Sequence, residues 1–339
     1  MSGEWLRPGD PRAKRILILG GGFAGVYAAY ELHKARKESS EPVEISIVNR
    51  ENFFVFYPLL AEIISGAVEI EDVLTPIRLV VPDANLYVGD VTAIDLDQSR
   101  VEIRHGLYRH KQEARTLFYD HLVIALGGIP ATSRIPGLAE YAFDVQRLSH
   151  AFSLRNHLLD TLEQADIETN PLRKRRNLSY VVVGGGGTGV EVAAEIQSML
   201  HDVSRYYRHV EPEDVRVVIV QGGERLIPDL PEQLGTFAAR ILSERGMEIR
   251  FGRRVSRVEP GVVHLDDGET IEADTIVGAV GVEVNPLVRD LPLPHDRQGR
   301  VAVQNTLRAS EERPNVWVIG DAARVIDPHT GEPYPQTAQ

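Results

Sequence analysis

The fold of this chain is decided by the stretch Gly20-Gly21-Gly22-Phe23-Ala24-Gly25, which reads G-x-G-x-x-G. The apolar residues 15–19 before it predict a strand, and residues 26–32 after it predict a helix. In this setting the glycines allow a tight turn and let a pyrophosphate approach the backbone at the helix N-terminus. The stretch therefore predicts the start of a dinucleotide-binding unit.

The same pattern recurs as Gly184-Gly185-Gly186-Gly187-Thr188-Gly189, again after an apolar stretch (180–183) and before a predicted helix (190–196). One such match alone is a weak indication. Two matches, each between a strand and a helix, predict that one polypeptide holds two dinucleotides. Two dinucleotides in one molecule suggest that electrons pass from one to the other.

The order of the predicted elements gives the domain organisation. The 339 residues are enough for two domains with full cores. Strands alternate with helices around each glycine stretch, and an apolar strand ending in Gly320-Asp321 comes late in the chain. We therefore predict an α/β protein of two Rossmann-like domains, the second inserted into the first. The first domain comprises residues 1–148 and 287–339, and the inserted domain comprises residues 149–286.

The composition excludes several classes of function. With 37 basic and 49 acidic residues the net charge is −12, which is not the charge of a nucleic-acid-binding protein. The chain contains no cysteine, so these residues supply no redox-active dithiol. The histidines do not follow metal-ligand spacing, and no metal is expected. No run approaches the roughly 18 apolar residues of a spanning helix, so we expect any membrane association to be peripheral.

The positions expected to grip the two ribose groups carry amides instead of acids. Asn49 ends the strand after the first glycine stretch and is followed by Arg50, while Gln221 ends the strand after the second. An acid at Gln221 would repel the 2′-phosphate of NADPH, and Arg225 is near enough in sequence to attract it. One hypothesis is therefore relaxed discrimination against NADPH. The alternative is that Gln221 hydrogen-bonds the ribose of NADH.

Four further stretches, together with residues 184–195, resemble those of type II NADH dehydrogenases. The chain is similar to these non-pumping NADH:quinone oxidoreductases, within the FAD- and NAD(P)-dependent pyridine nucleotide-disulfide oxidoreductase superfamily, from Ile16 to its end. The Phe-rich Pro-Leu-Leu segment and the final Ala-Gln are the more specific matches. The four stretches are residues 52–62, 278–286, 320–323 and 335–339.

The resemblance implies FAD in the first domain and NADH or NADPH as substrate in the second. The implied FAD-binding residues are Gly20, Gly22, Gly25, Asn49, Arg50, Val91, Gly127, Asp321 and Ala338. The implied NAD-binding residues are Gly184, Gly186, Thr188, Gly189, Gln221 and Gly281.

Two residues are candidates for catalysis. The resemblance places Gln339, with Ala338, beside the flavin and at the quinone site. It places Glu191 near the nicotinamide, where this residue would orient substrates or relay protons. Glu195 lies four residues on, so it shares a helix face with Glu191. The alternative for both glutamates is a solvated carboxylate near a helix start; we favour function for Glu191 and structure for Glu195.

The resemblance implies an FAD-dependent enzyme that transfers hydride from NAD(P)H to flavin and on to a membrane quinone. We expect a cytoplasmic protein, peripheral on the inner face of the cell membrane. Related proteins continue beyond the final Ala-Gln into a membrane-binding segment, so either this chain is a fragment or the protein lacks that anchor; we favour a fragment. A homodimer is a further hypothesis. The alternatives are a soluble NAD(P)H reductase of a small electron-transfer protein and a non-catalytic dinucleotide sensor.

Overall fold

A computed structural model describes residues 12–38, 41–106 and 113–334. Its strands are β1 Lys14–Leu19, β2 Val43–Asn49, β3 Phe53–Val55, β4 Leu74–Pro76, β5 Asn85–Asp95, β6 Arg100–His105, β7 Glu113–Phe118, β8 His121–Ile124, β9 Gly128–Pro130, β10 Ser179–Val183, β11 Arg216–Gln221, β12 Glu248–Phe251, β13 Val255–Glu259, β14 Val262–Leu265, β15 Thr270–Glu272, β16 Thr275–Gly278, β17 Val282–Val284, β18 Val301–Ala302, β19 Val316–Val318 and β20 Ala323–Arg324. Its α-helices are α1 Phe23–Arg36, α2 Leu60–Ser65, α3 Ile70–Val73, α4 Ile77–Val80, α5 Leu138–Tyr141, α6 Leu148–Ile167, α7 Pro171–Asn177, α8 Gly187–Ser204, α9 Glu232–Glu244 and α10 Pro286–Arg289.

The chain divides into two compact units, each containing one glycine stretch. The first unit comprises Met1–Val55, Leu74–Ile129 and Glu283–Gln339. The second comprises Phe56–Val73 and Pro130–Val282. The domain boundaries drawn from the sequence, after residues 148 and 286, stay a prediction.

The first unit is built on a seven-stranded sheet in the order β19-β8-β1-β2-β5-β6-β7. The strands from β19 to β5 run parallel, and β6 and β7 continue the sheet in antiparallel fashion. Ile18 belongs to the hydrophobic cluster on the α1 side, whereas Leu17 and Leu19 belong to the cluster on the opposite face. Strand β1 is apolar on both faces because both are covered.

The second unit repeats this arrangement on a smaller scale. Its four-stranded sheet has the order β12-β11-β10-β16, with all neighbours parallel. Strand β10 lies inside the sheet and all five of its residues are buried. A three-stranded antiparallel sheet, β13-β14-β15, packs its apolar residues into the same cluster. The predicted fold class, two Rossmann-like units with the second inserted into the first, is confirmed.

The structure adds elements that the sequence did not reveal. The aromatic stretch within residues 52–62 contains β3, which pairs with β4, and then the start of α2. Residues 113–118 form β7, which is an antiparallel partner of β6. Among the described residues, no helix is both long and apolar enough to cross a bilayer.

Candidate dinucleotide sites

The first glycine turn lies at the carboxyl end of β1, where the sheet order changes direction. The Gly20 N–H donates to the Val48 carbonyl at 2.8 Å, and the Ala125 N–H donates to the Leu19 carbonyl at 2.8 Å. The turn therefore emerges between β2 and β8, at the switch point where doubly wound sheets bind ligands.

The three glycines of this turn have different physical roles. Gly20 has φ of +104°, and a Cβ there would lie 2.2 Å from the Ala125 carbonyl oxygen. A Cβ on Gly25 would lie 1.9 Å from the Gly20 carbonyl oxygen, so glycine is needed for α1 to approach the turn. Gly22 is the N-cap of α1, and a Cβ there would meet no atom within 4 Å.

The open space at Gly22 fits a pyrophosphate group. The first turn of α1 contains no acidic residue, and the N-cap has no side-chain hydrogen bond to the helix backbone. The first N–H groups of a helix attract an anion through hydrogen bonding and the helix dipole. The residues present therefore match the phosphate group that the sequence pattern predicts.

The second glycine turn repeats the first almost contact for contact. The Gly184 N–H donates to the Val220 carbonyl at 2.9 Å. A Cβ on Gly184 would lie 2.2 Å from the Ala279 carbonyl oxygen, and one on Gly189 would lie 2.0 Å from the Gly184 carbonyl oxygen. A Cβ on Gly186 would meet nothing within 4 Å. The second unit thus presents an equivalent open helix N-terminus, on α8.

Asn49 and Gln221, the amides at the positions expected to bind the ribose groups, also hydrogen-bond the glycine turns. The Gly21 N–H donates to Asn49 Oδ1 at 2.9 Å, and Asn49 Nδ2 donates to the Glu51 carbonyl at 2.9 Å. In the same way, the Gly185 N–H donates to Gln221 Oε1 at 3.0 Å, and Gln221 Nε2 donates to the Arg225 carbonyl at 2.9 Å. Each amide links its glycine turn to the loop after the next strand.

These contacts explain why the second residue of each pattern is also glycine. A Cβ on Gly21 would lie 2.6 Å from Asn49 Cγ, and one on Gly185 would lie 2.6 Å from Leu226 Cδ2 and 3.1 Å from Gln221 Cβ. The sequence indicated the amides only as ribose contacts. That both positions carry an amide indicates their second role, the link between the glycine turn and the next loop. An amide can accept a hydrogen bond from one backbone group and donate to another.

The other predicted FAD residues of the first unit lie within its strands or just after them. Arg50 Nε donates to Asp90 Oδ1 at 2.7 Å in an exposed ion pair. Val91 lies in β5 where its register against β6 shifts. Gly127 follows β8 with φ of +59°, and a Cβ there would meet no atom within 4 Å.

Asp321 lies in the short 3-10 turn after β19, beside α1. The preceding Gly320 has φ of +68°, and a Cβ there would lie 3.0 Å from Ala24 Cβ on α1. Burial raises the pKa of the half-buried Asp321 carboxyl group. A carboxyl group in this position can hydrogen-bond a hydroxyl-rich chain held at the first glycine turn.

The predicted NAD residues gather at the second turn. Thr188 is exposed in the first turn of α8. Gly281 follows β16 with φ of +81°, and its carbonyl accepts the Ala131 N–H at 3.0 Å. The space where a Cβ of Gly281 would stand is open, as it is at Gly186.

Glu191 is the fifth residue of α8, one turn beyond the second glycine turn, and solvent reaches its side chain. Burial by surrounding atoms raises its pKa, and the charges of Glu62 and Glu195 raise it further. Glu62, on α2, ends the stretch 52–62 that carries the family resemblance, but the sequence did not identify it as a site residue. Ala338 and Gln339 lie outside the described residues. Within the described ranges, no three metal-ligating side chains form a group that could hold a metal ion.

Known proteins are similar to this chain in sequence and in fold. The family described as "Pyridine nucleotide-disulphide oxidoreductase" matches residues 14–339. The chain is 31% identical over 327 residues to the type II NADH:quinone oxidoreductase of Mycobacterium tuberculosis, covering 93% of this chain and 68% of that protein. It is 31% identical over 330 residues to demethylphylloquinone reductase of Synechocystis, covering 96% of this chain and 75% of that protein.

A solved structure has the same fold. NDH2 from Plasmodium falciparum, solved in complex with NADH, superposes with a TM-score of 0.82 at 23% identity. The match covers 92% of this chain and 65% of that one, so the chain spans about two thirds to three quarters of these relatives' lengths. The resemblance found in the sequence is confirmed: the chain belongs to the pyridine nucleotide-disulphide oxidoreductase family and, within it, to the type II NADH:quinone oxidoreductases.

Proposed function

We propose that this protein is an FAD-dependent NADH:quinone oxidoreductase that transfers electrons without pumping protons. The observation that carries the proposal is the pair of equivalent glycine turns, each with open space before a helix N-terminus. Two such turns in one chain provide for a resident dinucleotide and an exchanging one. The curated relatives named NADH:quinone oxidoreductases support the identity of donor and acceptor.

The first unit would hold FAD. Its pyrophosphate would lie at Gly22 and the α1 N-terminus, and Asp321 would hydrogen-bond the ribityl or pyrophosphate region. Asn49, Arg50, Val91, Gly127 and Ala338 complete the proposed FAD contacts. The chemistry that bound FAD would supply here is the uptake of a hydride from the nicotinamide and the delivery of two electrons to the quinone.

The second unit would bind and release the nicotinamide. Gly184, Gly186, Thr188 and Gly189 would form the phosphate turn, with Gln221 at the ribose and Gly281 at the open position after β16. Glu191 would orient the substrates or relay a proton. Gln339, with Ala338, would line the quinone site. Because the 339 residues contain no cysteine, no disulfide among them can take part in the transfer.

We also propose that the protein works in the cytoplasm, peripherally on the inner face of the cell membrane, because its acceptor would be dissolved in that membrane. A homodimer is a hypothesis, which sedimentation at several protein concentrations tests.

The experiment follows the flavin absorbance of the purified, FAD-loaded protein under anaerobic conditions. NADH is expected to bleach the flavin, and a soluble quinone analogue is expected to restore its colour. A flavin that NADH does not bleach would favour the dinucleotide sensor. A reduced flavin that the quinone reoxidises no faster than oxygen does would instead favour the reductase of a small electron-transfer protein. Gly186→Ala is the matched control, since it should retain FAD and bleach slowly.

A further inference from the structure

Glu62 occupies an unusual place for a carboxylate. It lies on α2, where four of the other five residues, Leu60, Ala61, Ile63 and Ile64, are buried, and α2 packs against α8 and α6. The Glu62 Oε2 atom is buried and has no hydrogen-bond partner among the described residues. A buried carboxylate oxygen without a donor is costly, so such a group usually has a function or a compensating neighbour.

The charge of Glu62 acts on Glu191. Both residues belong to the second unit, and their helices α2 and α8 are in contact. The charge of Glu62 raises the pKa of Glu191 more than the charge of Glu195 does, although Glu195 shares the helix face of Glu191. Two carboxyl groups near each other favour the protonated form of one of them. Because α2 packs against α8, Glu62 affects the candidate catalytic residue Glu191 although the two residues are far apart in sequence.

Several other polar and charged groups lie on the packed elements. Arg155 on α6 lies over the end of α2, with its guanidinium 3.0 Å from where a Cβ on Gly66 would stand. Groups that are hydrogen-bonded to other partners include His150 with Asp144, His157 with Thr275, Glu163 with Tyr207, Asp166 with the His209 backbone, Arg205 with Asp202, Arg216 with Glu248, and Asp214 with the Glu211 backbone.

We propose that Glu62, whose buried carboxylate lies on the helix that packs against α8, is a positioning residue that acts through its charge on Glu191, the candidate proton relay. This inference rests on the proposed function, in which the hydride of NADH carries two electrons and one proton. Reducing a quinone to a quinol needs two electrons and two protons, so the second proton comes from solvent. A carboxyl group that is easily protonated can relay it.

The test compares the wild type with Glu62→Gln, which keeps the side chain's size and removes its charge. The carboxyl carbon of Glu191 is followed by NMR against pH in protein labelled at glutamate, and its signal is assigned by its loss in Glu191→Gln. We expect the Glu191 titration midpoint to fall by about half a pH unit in Glu62→Gln. Glu62→Asp, which keeps the charge, should restore most of the wild-type midpoint.

The matched control is Glu69→Gln, since Glu69 is an exposed acid in the same segment, between α2 and α3. An unchanged Glu191 midpoint in Glu62→Gln, or an equal change in Glu69→Gln, would overturn the proposal. If Glu62→Gln does not fold, Glu62→Met removes the same charge and keeps α2 apolar, with the same midpoint expected.

A second measurement is the pH profile of quinone reduction. Its alkaline limb, where a relay that must be protonated loses its proton, should move to lower pH in Glu62→Gln by the amount seen in the NMR titration, whereas a merely structural role would lower activity equally at every pH. A moved NMR midpoint with a fixed alkaline limb would overturn the positioning role. A moved midpoint in a protein that reduces no quinone would overturn the proposed function and leave the coupling of Glu62 to Glu191 standing.

Discussion

At the scale of single residues, some glycines of the two turns are needed for folding and others leave space for a ligand. Gly20 and Gly25 are fixed by contacts within the turn, as are Gly184 and Gly189 in the second unit. Gly22 and Gly186 make no such contact and face open space. Cofactor binding can therefore be changed at the middle glycine with little effect on the fold.

We expect Gly22→Ala to lose FAD while destabilising the cofactor-free protein by about 1 kcal/mol or less, since the methyl group points into open space at an N-cap. Gly186→Ala should retain FAD and raise KM for NADH. Flavin content after gel filtration and steady-state kinetics measure the two effects. Gly20→Ala is the contrast: with positive φ and a contact of 2.2 Å, it should cost about 3 kcal/mol or more.

Gln221 allows a test of nicotinamide preference. With no acid there to repel a 2′-phosphate, we expect the wild type to favour NADH over NADPH by less than about a hundredfold in kcat/KM. Gln221→Glu keeps an acceptor for the Gly185 N–H and adds a negative charge, so the preference for NADH should rise by about tenfold. Asn49→Asp, in the other unit, should leave the ratio unchanged. A wild-type preference above a hundredfold would contradict the hypothesis.

The sequence predicted the glycine turns because their pattern is local: strand, turn and helix follow one another directly. It could not reveal what the amides of Asn49 and Gln221 contact, since those partners depend on the backbone of the next loop. Nor could it place Glu62 against α8, because nothing in residues 52–62 specifies which helix α2 packs on.

At the scale of secondary structure elements, the elements that were missed are the ones without a strong local pattern. Strand β7 is mostly exposed, so its residues lack the apolar alternation that predicts a strand. Strand β3 is three residues long and is defined only by its pairing with β4, which is remote in sequence. Central strands such as β10 were predicted because burial on both faces leaves a continuous apolar run.

The turn before β18 contains a buried ion pair. Arg300 Nε donates to Asp296 Oδ2 at 2.8 Å, and these side chains are only 10% and 12% exposed. Burial alone would raise the pKa of Asp296, but the hydrogen bonds from the Arg300 side chain and from backbone N–H groups outweigh it, and the pKa is lowered. This stabilisation is present above the ordinary pKa of an aspartate and is lost as pH falls through the lowered value.

We expect Asp296→Asn to reduce the free energy of unfolding by about 3 kcal/mol at pH 7, because it leaves the Arg300 charge buried without its partner. Urea unfolding at several pH values measures the change. The wild type and the variant should converge at acid pH, once Asp296 is protonated in the folded protein. Glu244→Gln is the control, since it breaks an exposed pair with Arg240 and should cost less than about 0.5 kcal/mol. A constant difference across pH would contradict the role of the ion pair.

At the scale of the whole molecule, two units with separate cores and separate ligands should respond separately. Differential scanning calorimetry should resolve two transitions. A hundredfold excess of FAD over its Kd should raise one transition by roughly 5 to 10 °C, and NAD⁺ should raise the other. Gly22→Ala should abolish the first shift and Gly186→Ala the second. A single transition that both ligands raise equally would contradict this independence.

The pairing of β3 with β4 has a consequence for how this family can vary. Val55 and Leu74 are paired neighbours, so the chain leaves the first unit and returns to it across a single strand pair. Residues 56–73 can therefore lengthen, shorten or be exchanged with little disturbance to the sheet they depart from. Because residues 56–73 include Glu62, exchanging this one segment during evolution could change the pKa of Glu191. Both glycine turns would stay unchanged.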